Sequence, residues 1–393
     1  MAKIELIATA TFGLEEMVKL EVKQLGYEEM QVENGKVTFV ADEAAIPKAN
    51  IWLRTADRVL LKMGEFEARS FEELFQRTKA LPWEEWIPEN GKFPVVGKSV
   101  KSQLFSVSDC QAIVKKAIVE RLKEVYHVDW FQESGPEFEV EVALLKDVAT
   151  LTIDTSGAGL HKRGYRAQAN EAPLKETLAA AMVMISRWRE DRVLIDPFCG
   201  SGTIAIEAAM IGKNIAPGLE RKFAAEEWPR VPEHLWKEVR VEALKTIRQD
   251  VDIRILASDI DPRAVKIAEE NAYRAGVDDC ITFQVQDIAK IASDAKYGYI
   301  ICNPPYGERL GEKEEIEKLY KRMGQIFSKF DTWSVYVLTS HEAFENLYGK
   351  KASKKRKLYN GRIKVDYYQF FGPKPPKEML EKRMVLNETD ERM

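Results

Sequence analysis

Residues 193–210 read VLIDPFCGSGTIAIEAAM. An apolar run, Val193 to Ile195, ends at Asp196 and Pro197. A Gly-rich turn follows, and residues 203–212 then read as a helix. Strand, Gly turn, helix is the opening unit of an open α/β sheet. The run is apolar at successive positions, as a strand covered on both faces must be. Gly200 and Gly202 let backbone approach a ligand closely, and a helix N-terminus offers unpaired amides. The turn is CGSG rather than G-x-G-x-x-G, and an acid before the glycines would repel a pyrophosphate. A ligand that carries an ammonium group and no phosphate beside the turn suits it better.

The pattern repeats downstream. ILASDI, a helix over 262–275, ITFQVQDI, YGYIICNPP, a helix over 313–329, WSVYVLTS and VDYYQFFG follow in order. Apolar strands alternating with helices predict a mostly parallel sheet between two helical layers. In such sheets ligands bind at the strand C-termini. Asp259 ends the second strand and is placed to take both hydroxyls of a ribose. Asp261 precedes Pro262 and reads first as a helix N-cap. Asp287 follows the third strand, placed to accept from an adenine amino group or to serve as a turn acid. These positions suit S-adenosylmethionine. With their neighbours they make the expected cofactor-binding set: Asp196, Pro197, Phe198, Cys199, Gly200, Gly202, Thr203, Asp259, Ile260, Asp287, Ile288 and Asn303.

The fourth strand ends on a rigid corner, Asn303-Pro304-Pro305-Tyr306. Prolines fix φ, donate no hydrogen bond and keep the preceding residue extended. Such a corner presents the Asn303 side-chain carbonyl and the Pro304 backbone carbonyl at one point. Two acceptors there would bind both hydrogens of an exocyclic amino group and turn its lone pair toward a methyl donor. Tyr306 would stack on the base ring. Asn303, Pro304, Pro305 and Tyr306 are the expected catalytic residues. No nucleophilic side chain and no metal is required.

Bulk properties narrow the class. The chain has 393 residues, is 45% apolar and 31% charged, and carries a net charge of −4. Apolar runs fall well short of the ~20 residues that span a bilayer. The N-terminus lacks the pattern of a signal peptide. Four widely spaced cysteines, Cys110, Cys199, Cys280 and Cys302, form no CxxC pair and suit a reducing cytoplasm. The four histidines show no ligand spacing. We therefore expect a cytoplasmic monomer with no metal and no membrane association.

Residues 1–66 alternate strand-like runs with an amphipathic helix that ends at Gly26. Residues 67–156 give a helix, a Pro/Trp-rich stretch, a strand, a long helix and a hairpin around Lys146-Asp147, a small α+β unit. Residues 157–173 read as a linker, and 174–385 hold the strand–helix alternation. Three basic runs stand out: Lys98, Lys101, Lys115 and Lys116; then Lys162, Arg163 and Arg166; then Lys354, Lys355, Arg356 and Lys357. Each alone could be a solvated loop, but three in an acidic chain favour a polyanion surface.

DPFCGSGT, SDIDP, QD and NPPYGERLG, in this order and spacing, resemble class I SAM-dependent amino-methyltransferases. LPWEEWIP, LFSVSDCQAIVKKAI and LHKRGYR with APLKETLAAAM resemble THUMP-domain RNA methyltransferases. The likeness is greatest to the N-terminal half of the bacterial large-subunit (23S) rRNA guanine-N2 methyltransferases and covers nearly the whole chain. It implies a Rossmann-like α/β domain with a mostly parallel seven-stranded sheet, preceded by ferredoxin-like and THUMP lobes. It also implies S-adenosylmethionine as cofactor, rRNA as partner, and a pocket lined in part by Pro173 and Leu174. The stretch 212–252 separates the first helix from Asp259 by more than the usual ~20 residues, and no role can be read for it. The corner motif leaves adenine N6 of DNA or RNA open beside guanine N2. A non-catalytic RNA-binding or ribosome-assembly protein is the remaining alternative.

Overall fold

The computed structural model describes residues 3–166, 174–307 and 313–376. The chain divides into two compact units. Residues 1–164 join with 215–247, and 165–214 join with 248–393.

The first unit contains β1 (Ile4–Ala10), α1 (Glu15–Gln24), β2 (Met30–Glu33), β3 (Lys36–Ala41), α2 (Ala45–Trp52), β4 (Ala56–Glu67), α3 (Phe71–Lys79), β5 (Val95–Val100), α4 (Val107–Tyr126), β6 (Val140–Leu145) and β7 (Val148–Asp154). The second opens with α5 (Glu176–Ser186), β8 (Leu194–Asp196) and α6 (Thr203–Gly212). The chain then gives α7 (Glu233–Lys245) to the first unit. It continues in the second with β9 (Ile255–Asp259), α8 (Pro262–Arg274), β10 (Ile281–Val285), β11 (Tyr299–Cys302), α9 (Lys313–Phe327), β12 (Ser334–Thr339), α10 (Phe344–Tyr348), β13 (Lys354–Asn360) and β14 (Ile363–Phe370).

The first unit is built on one seven-stranded sheet in the order β2-β3-β1-β4-β7-β6-β5. β4 is central: it pairs with β1 on one side and β7 on the other. The boundary expected at residues 66 and 67 therefore falls inside a strand that both lobes share. Residues 157–164, expected as linker, are fastened to this unit; Leu160 N donates to Asp57 O at 2.8 Å. The stretch 215–247 packs here too. Gly218 N donates to Ile51 O at 2.9 Å, and Trp228 Nε1 donates to Glu137 O at 3.0 Å. The Trp228 ring stacks on Phe138, with centroids 4.8 Å apart. Arg230 bridges Glu43 at 3.1 Å and Glu85 at 2.8 Å.

The second unit holds a seven-stranded sheet in the order β10-β9-β8-β11-β12-β14-β13. Pairing is parallel from β10 to β12, and β14 and β13 are antiparallel. The chain winds outward from β8 to β10, then returns to β11 on the other side of β8. The C-terminal ends of β8 and β11 therefore flank a topological switch point, the usual ligand crevice of such sheets. The third basic run, which could have been a solvated loop, lies in β13: Lys354–Asn360 is an edge strand. Lysines suit an edge because they discourage pairing with other chains. No described helix is long and apolar enough to cross a membrane.

Candidate active site

At the switch point lies a pocket of about 490 Å³. Its walls come from the ends of four parallel strands and from α9. Of the expected residues it brings together Leu174, Asp196, Pro197, Phe198, Cys199, Gly200, Thr203, Asp259, Ile260, Asp287, Ile288 and Asn303, with Pro305 at the corner. Gly202, Pro304 and Tyr306 are not part of this lining. Pro173 lies outside the described residues.

The Gly-rich turn is held from several sides. Gly200 has φ +51° and Gly202 φ +83°, both in the left-handed region where glycine is favoured. A Cβ on Gly202 would also meet the Ala268 Cβ at 3.0 Å. Gly202 thus serves the turn and the close approach of α6 to α8 rather than the pocket wall. Gly200 N donates to Asp259 Oδ2 at 2.9 Å, and Cys199 N donates to Ser258 O at 2.9 Å. Asn271, buried on α8, donates to Ser201 O at 3.0 Å. The loop after β8 is thereby clamped to the end of β9, with amides at the start of α6 beside the pocket.

The acids differ in environment. Asp196 is 1% exposed. Its Oδ1 accepts from Phe198 N at 3.2 Å, while its buried Oδ2 has no hydrogen-bond partner. Burial pushes its carboxyl up to about 8; the Phe198 amide pulls it back and the nearby Asp259 charge adds to the rise. Asp259 is half-buried and already accepts from Gly200 N and, at 3.0 Å, from Asp261 N. Asp261 caps α8 through Arg263 N at 2.9 Å, as its place before Pro262 suggested.

Asp287 caps a short 3-10 turn by accepting from Ala289 N at 2.7 Å. It is also gripped by Arg322 of α9, at 2.6 Å and 3.2 Å to its two oxygens. The Ala289 amide, followed by Arg322, holds its carboxyl below the usual carboxylate range. Arg322 lines the pocket as well, with Leu319 from the same helix face. Neither was read from the sequence, because their place depends on how α9 docks.

The corner after β11 is anchored from behind. Tyr320, fully buried on α9, donates to Pro305 O at 2.8 Å and meets Thr339 Oγ1 at 2.8 Å. Since the phenol has one proton, Thr339 donates to it. Burial pushes the Tyr320 phenol up to about 12, so it remains a donor. At the front, the Tyr306 hydroxyl donates to Asn303 Oδ1, a bond the sequence did not suggest. Asn303 is half-buried and Pro305 exposed.

Two members of the expected RNA-contacting set are held by contacts within the protein. Arg163 is 4% exposed and donates to Leu160 O and Arg54 O. Arg166 pairs with Glu176 at 3.3 Å and donates to Thr203 Oγ1 and Leu174 O. Both arginines are taken up by internal acceptors. Lys162 is exposed. In β13 the basic residues alternate between faces, as strand geometry requires. Lys355 and Lys357 share one face, and Lys355 pairs with Asp366 at 3.7 Å. Lys354 and the half-buried Arg356 share the other. The run does not form a single patch. Among the described residues no group of three or more His, Cys, Asp or Glu could hold a metal ion.

Residues 163–369 match the family model for the RMKL-like methyltransferase domain. Residues 5–60 match the RlmL ferredoxin-like domain, and 68–154 match the THUMP domain. A Bacillus subtilis (strain 168) protein named "Putative RNA methyltransferase YpsC" is 56% identical over 96% of this chain and 98% of its own length. A crystal structure from Listeria monocytogenes str. 4b F2365, described as a "predicted N6-adenine-specific DNA methylase", is 53% identical, with TM-score 0.91 over 95% of this chain and 97% of that one. SMU.472, described as "a putative methyltransferase complexed with SAH", is 46% identical, with TM-score 0.91 over 96% of this chain and 100% of that one. The chain therefore belongs to the RMKL-like methyltransferase family, with a ferredoxin-like domain and a THUMP domain ahead of its methyltransferase domain.

Proposed function

We propose that this protein transfers a methyl group from S-adenosylmethionine to an exocyclic amino group of RNA, guanine N2 of large-subunit rRNA, as a cytoplasmic monomer. One observation carries the reading: Asn303 and Pro305 line the same pocket as Asp196, Gly200 and Asp259. A donor-binding turn and a fixed amide acceptor thus meet at one crevice. The residues suit the donor. Asp196 has an unpartnered buried oxygen for a cationic group. Asp259 has carboxylate lone pairs left for ribose hydroxyls, and Ile260 and Ile288 give apolar wall to a purine.

S-adenosylmethionine supplies an electrophilic methyl group. The protein's part is orientation and electrostatics. Asn303 Oδ1 would accept from the target N–H, taking over from or sharing with the Tyr306 hydroxyl. The Pro304 carbonyl would take the second hydrogen. Tyr320 keeps the corner from shifting as the base enters. The ring of Tyr306, beside Asn303, would then cover the base.

RNA is favoured as substrate by the two N-terminal domain matches and by the name of the Bacillus relative. Adenine N6 is the second reading, favoured by the description of the Listeria relative. Ribosomal RNA and, in parallel, genomic DNA from cells lacking the protein should be incubated with enzyme and methyl-labelled donor, then digested to nucleosides. N2-methylguanosine is expected; labelled N6-methyladenosine would overturn the base assignment, and preferential labelling of DNA would overturn the substrate. Asn303→Ala should bind donor within a few-fold of wild type and lose ~10²–10³-fold in transfer, as deletions of one preorganised hydrogen-bonding group do. Transfer at the wild-type rate by that variant would remove Asn303 from the mechanism.

A further inference from the structure

Arg322 and Asp287 line the pocket from different elements and meet in a forked contact. Arg322 Nη2 donates to Asp287 Oδ1 at 2.6 Å, and Nη1 donates to Oδ2 at 3.2 Å. A guanidinium fork fixes the plane and the rotamer of a carboxylate, which a single contact does not. The helix offers Arg322 no rival partner. One turn away on α9 stand Lys318, Leu319, Gln325 and Ile326, none of them an acid. The i±3 and i±4 spacing that usually pairs a helical arginine with a carboxylate is therefore unused here.

Counting acceptor sites shows what the grip leaves. A carboxylate has about four lone-pair sites on its two oxygens. Ala289 N takes one on Oδ1 at 2.7 Å; Arg322 takes the second on Oδ1 and one on Oδ2. Among the described residues, one site on Oδ2 remains for a ligand in the pocket. The Ala289 amide, followed by Arg322, keeps the carboxyl ionised, so it accepts and does not donate. A purine with an amino group at C6 supplies the matching donor. A purine with a carbonyl there would set an oxygen against a fixed anion, with no proton and no rotation to relieve it.

We propose that Arg322 determines specificity for the base of the methyl donor: by pinning Asp287 as a one-site acceptor, it selects a 6-aminopurine over a 6-oxopurine. This rests on the donor reading, with Asp287 facing the base. Arg322 acts through Asp287 and is a positioning residue.

The test is calorimetric binding of S-adenosylhomocysteine and S-inosylhomocysteine to the full-length protein, with the melting temperature of the ligand-free protein as control. Wild type should favour the adenosyl ligand by about tenfold or more, as when a charged hydrogen-bonding group is left unpaired. Arg322→Met keeps an apolar stem and removes the fork. It should narrow the preference to about threefold, the worth of one unfixed hydrogen bond, since the freed carboxylate can turn away from a carbonyl. Arg322→Lys, a point charge without the fork, should fall between. Asp287→Asn gives a sharper readout. With Arg322 present, the amide oxygen should stay where two donors meet, on Ala289 N and Nη2, which turns the amide nitrogen to the pocket. The preference should then invert toward the inosyl ligand. In Asp287→Asn combined with Arg322→Met the amide is free to flip, and the inversion should vanish. Ligand-free melting temperatures of the Arg322 variants should move little, because a half-exposed ion pair contributes little to stability. A wild-type preference in Arg322→Met would overturn the proposal, even if both affinities fell together. Equal binding of the two ligands by wild type would overturn it too, and leave the donor reading standing. Wild-type protein that binds neither would overturn both.

Discussion

Among single residues, Asp196 is the fully buried acid of the pocket. Its carboxyl is pushed to about 8 by burial, against ~3.9 for an ordinary aspartate. Between those values the folded chain holds a proton that the unfolded chain releases. Stability from this group is thus fully present below pH ~4 and declines as pH rises toward 8. A cationic ligand beside Oδ2 would reverse the preference and favour the carboxylate. Binding of S-adenosylmethionine at pH 6.5, where the ligand's ammonium is itself charged, should then release a proton. Calorimetry in buffers of different ionisation enthalpy would detect it as a buffer-dependent binding heat. Asp196→Asn should bind with no such dependence. If wild-type protein shows none either, Asp196 does not meet the cationic end of the donor. The sequence could show that an acid follows the first strand. It could not show that one oxygen lacks a partner, which depends on every neighbour of the strand end.

Among elements, the strand-end acids and the Gly turn were legible because their signals are local. Asp261 before Pro262, Gly200 with Gly202, and Asn303 before two prolines each declare a backbone shape within a few residues. α9 was legible as a helix but not as a pocket wall. Its contributions, Leu319, Tyr320 and Arg322, meet partners on other elements; Arg322 grips Asp287 from 35 positions away. β13 escaped because lysines at an edge are selected against pairing rather than for a core. β4 escaped because the lobe boundary was drawn through it. The positioning role of α9 can be tested at Tyr320. Tyr320→Phe leaves the Pro305 carbonyl without its donor and the buried Thr339 hydroxyl without its acceptor, at a cost of ~1–3 kcal/mol for the buried hydroxyl. Part of that cost would be met by movement of the corner. We expect unchanged donor affinity, a lower melting temperature and a turnover loss of about tenfold, one hydrogen bond's worth of misplacement. Full turnover in a stable Tyr320→Phe protein would show that the prolines alone hold the corner.

Across the whole molecule, the chain leaves the methyltransferase unit after Asn214 and returns at Arg248. Between those points it completes the core of the first unit. The sequence showed the length of this excursion and not its destination. Trp228 is 2% exposed, with its ring on Phe138 and its edge toward Trp86, 6.1 Å between centroids. A fragment lacking residues 1–155 would strand this apolar segment, so truncation is a poor probe of the N-terminal unit. Trp228→Ala in the full chain is cleaner. It should cost ~3–5 kcal/mol, as large-to-small changes in cores do. The loss should be confined to the unit that the segment completes. Amide hydrogen exchange should show β5, β6 and β7 losing protection while β8, β9 and β11 keep theirs. Added S-adenosylmethionine should raise protection in the second set, since a ligand stabilises only what binds it. RNA binding should fall with the first set. Loss of protection centred on β8 and β9, or spread evenly over both sheets, would mean that the excursion does not serve the first unit alone.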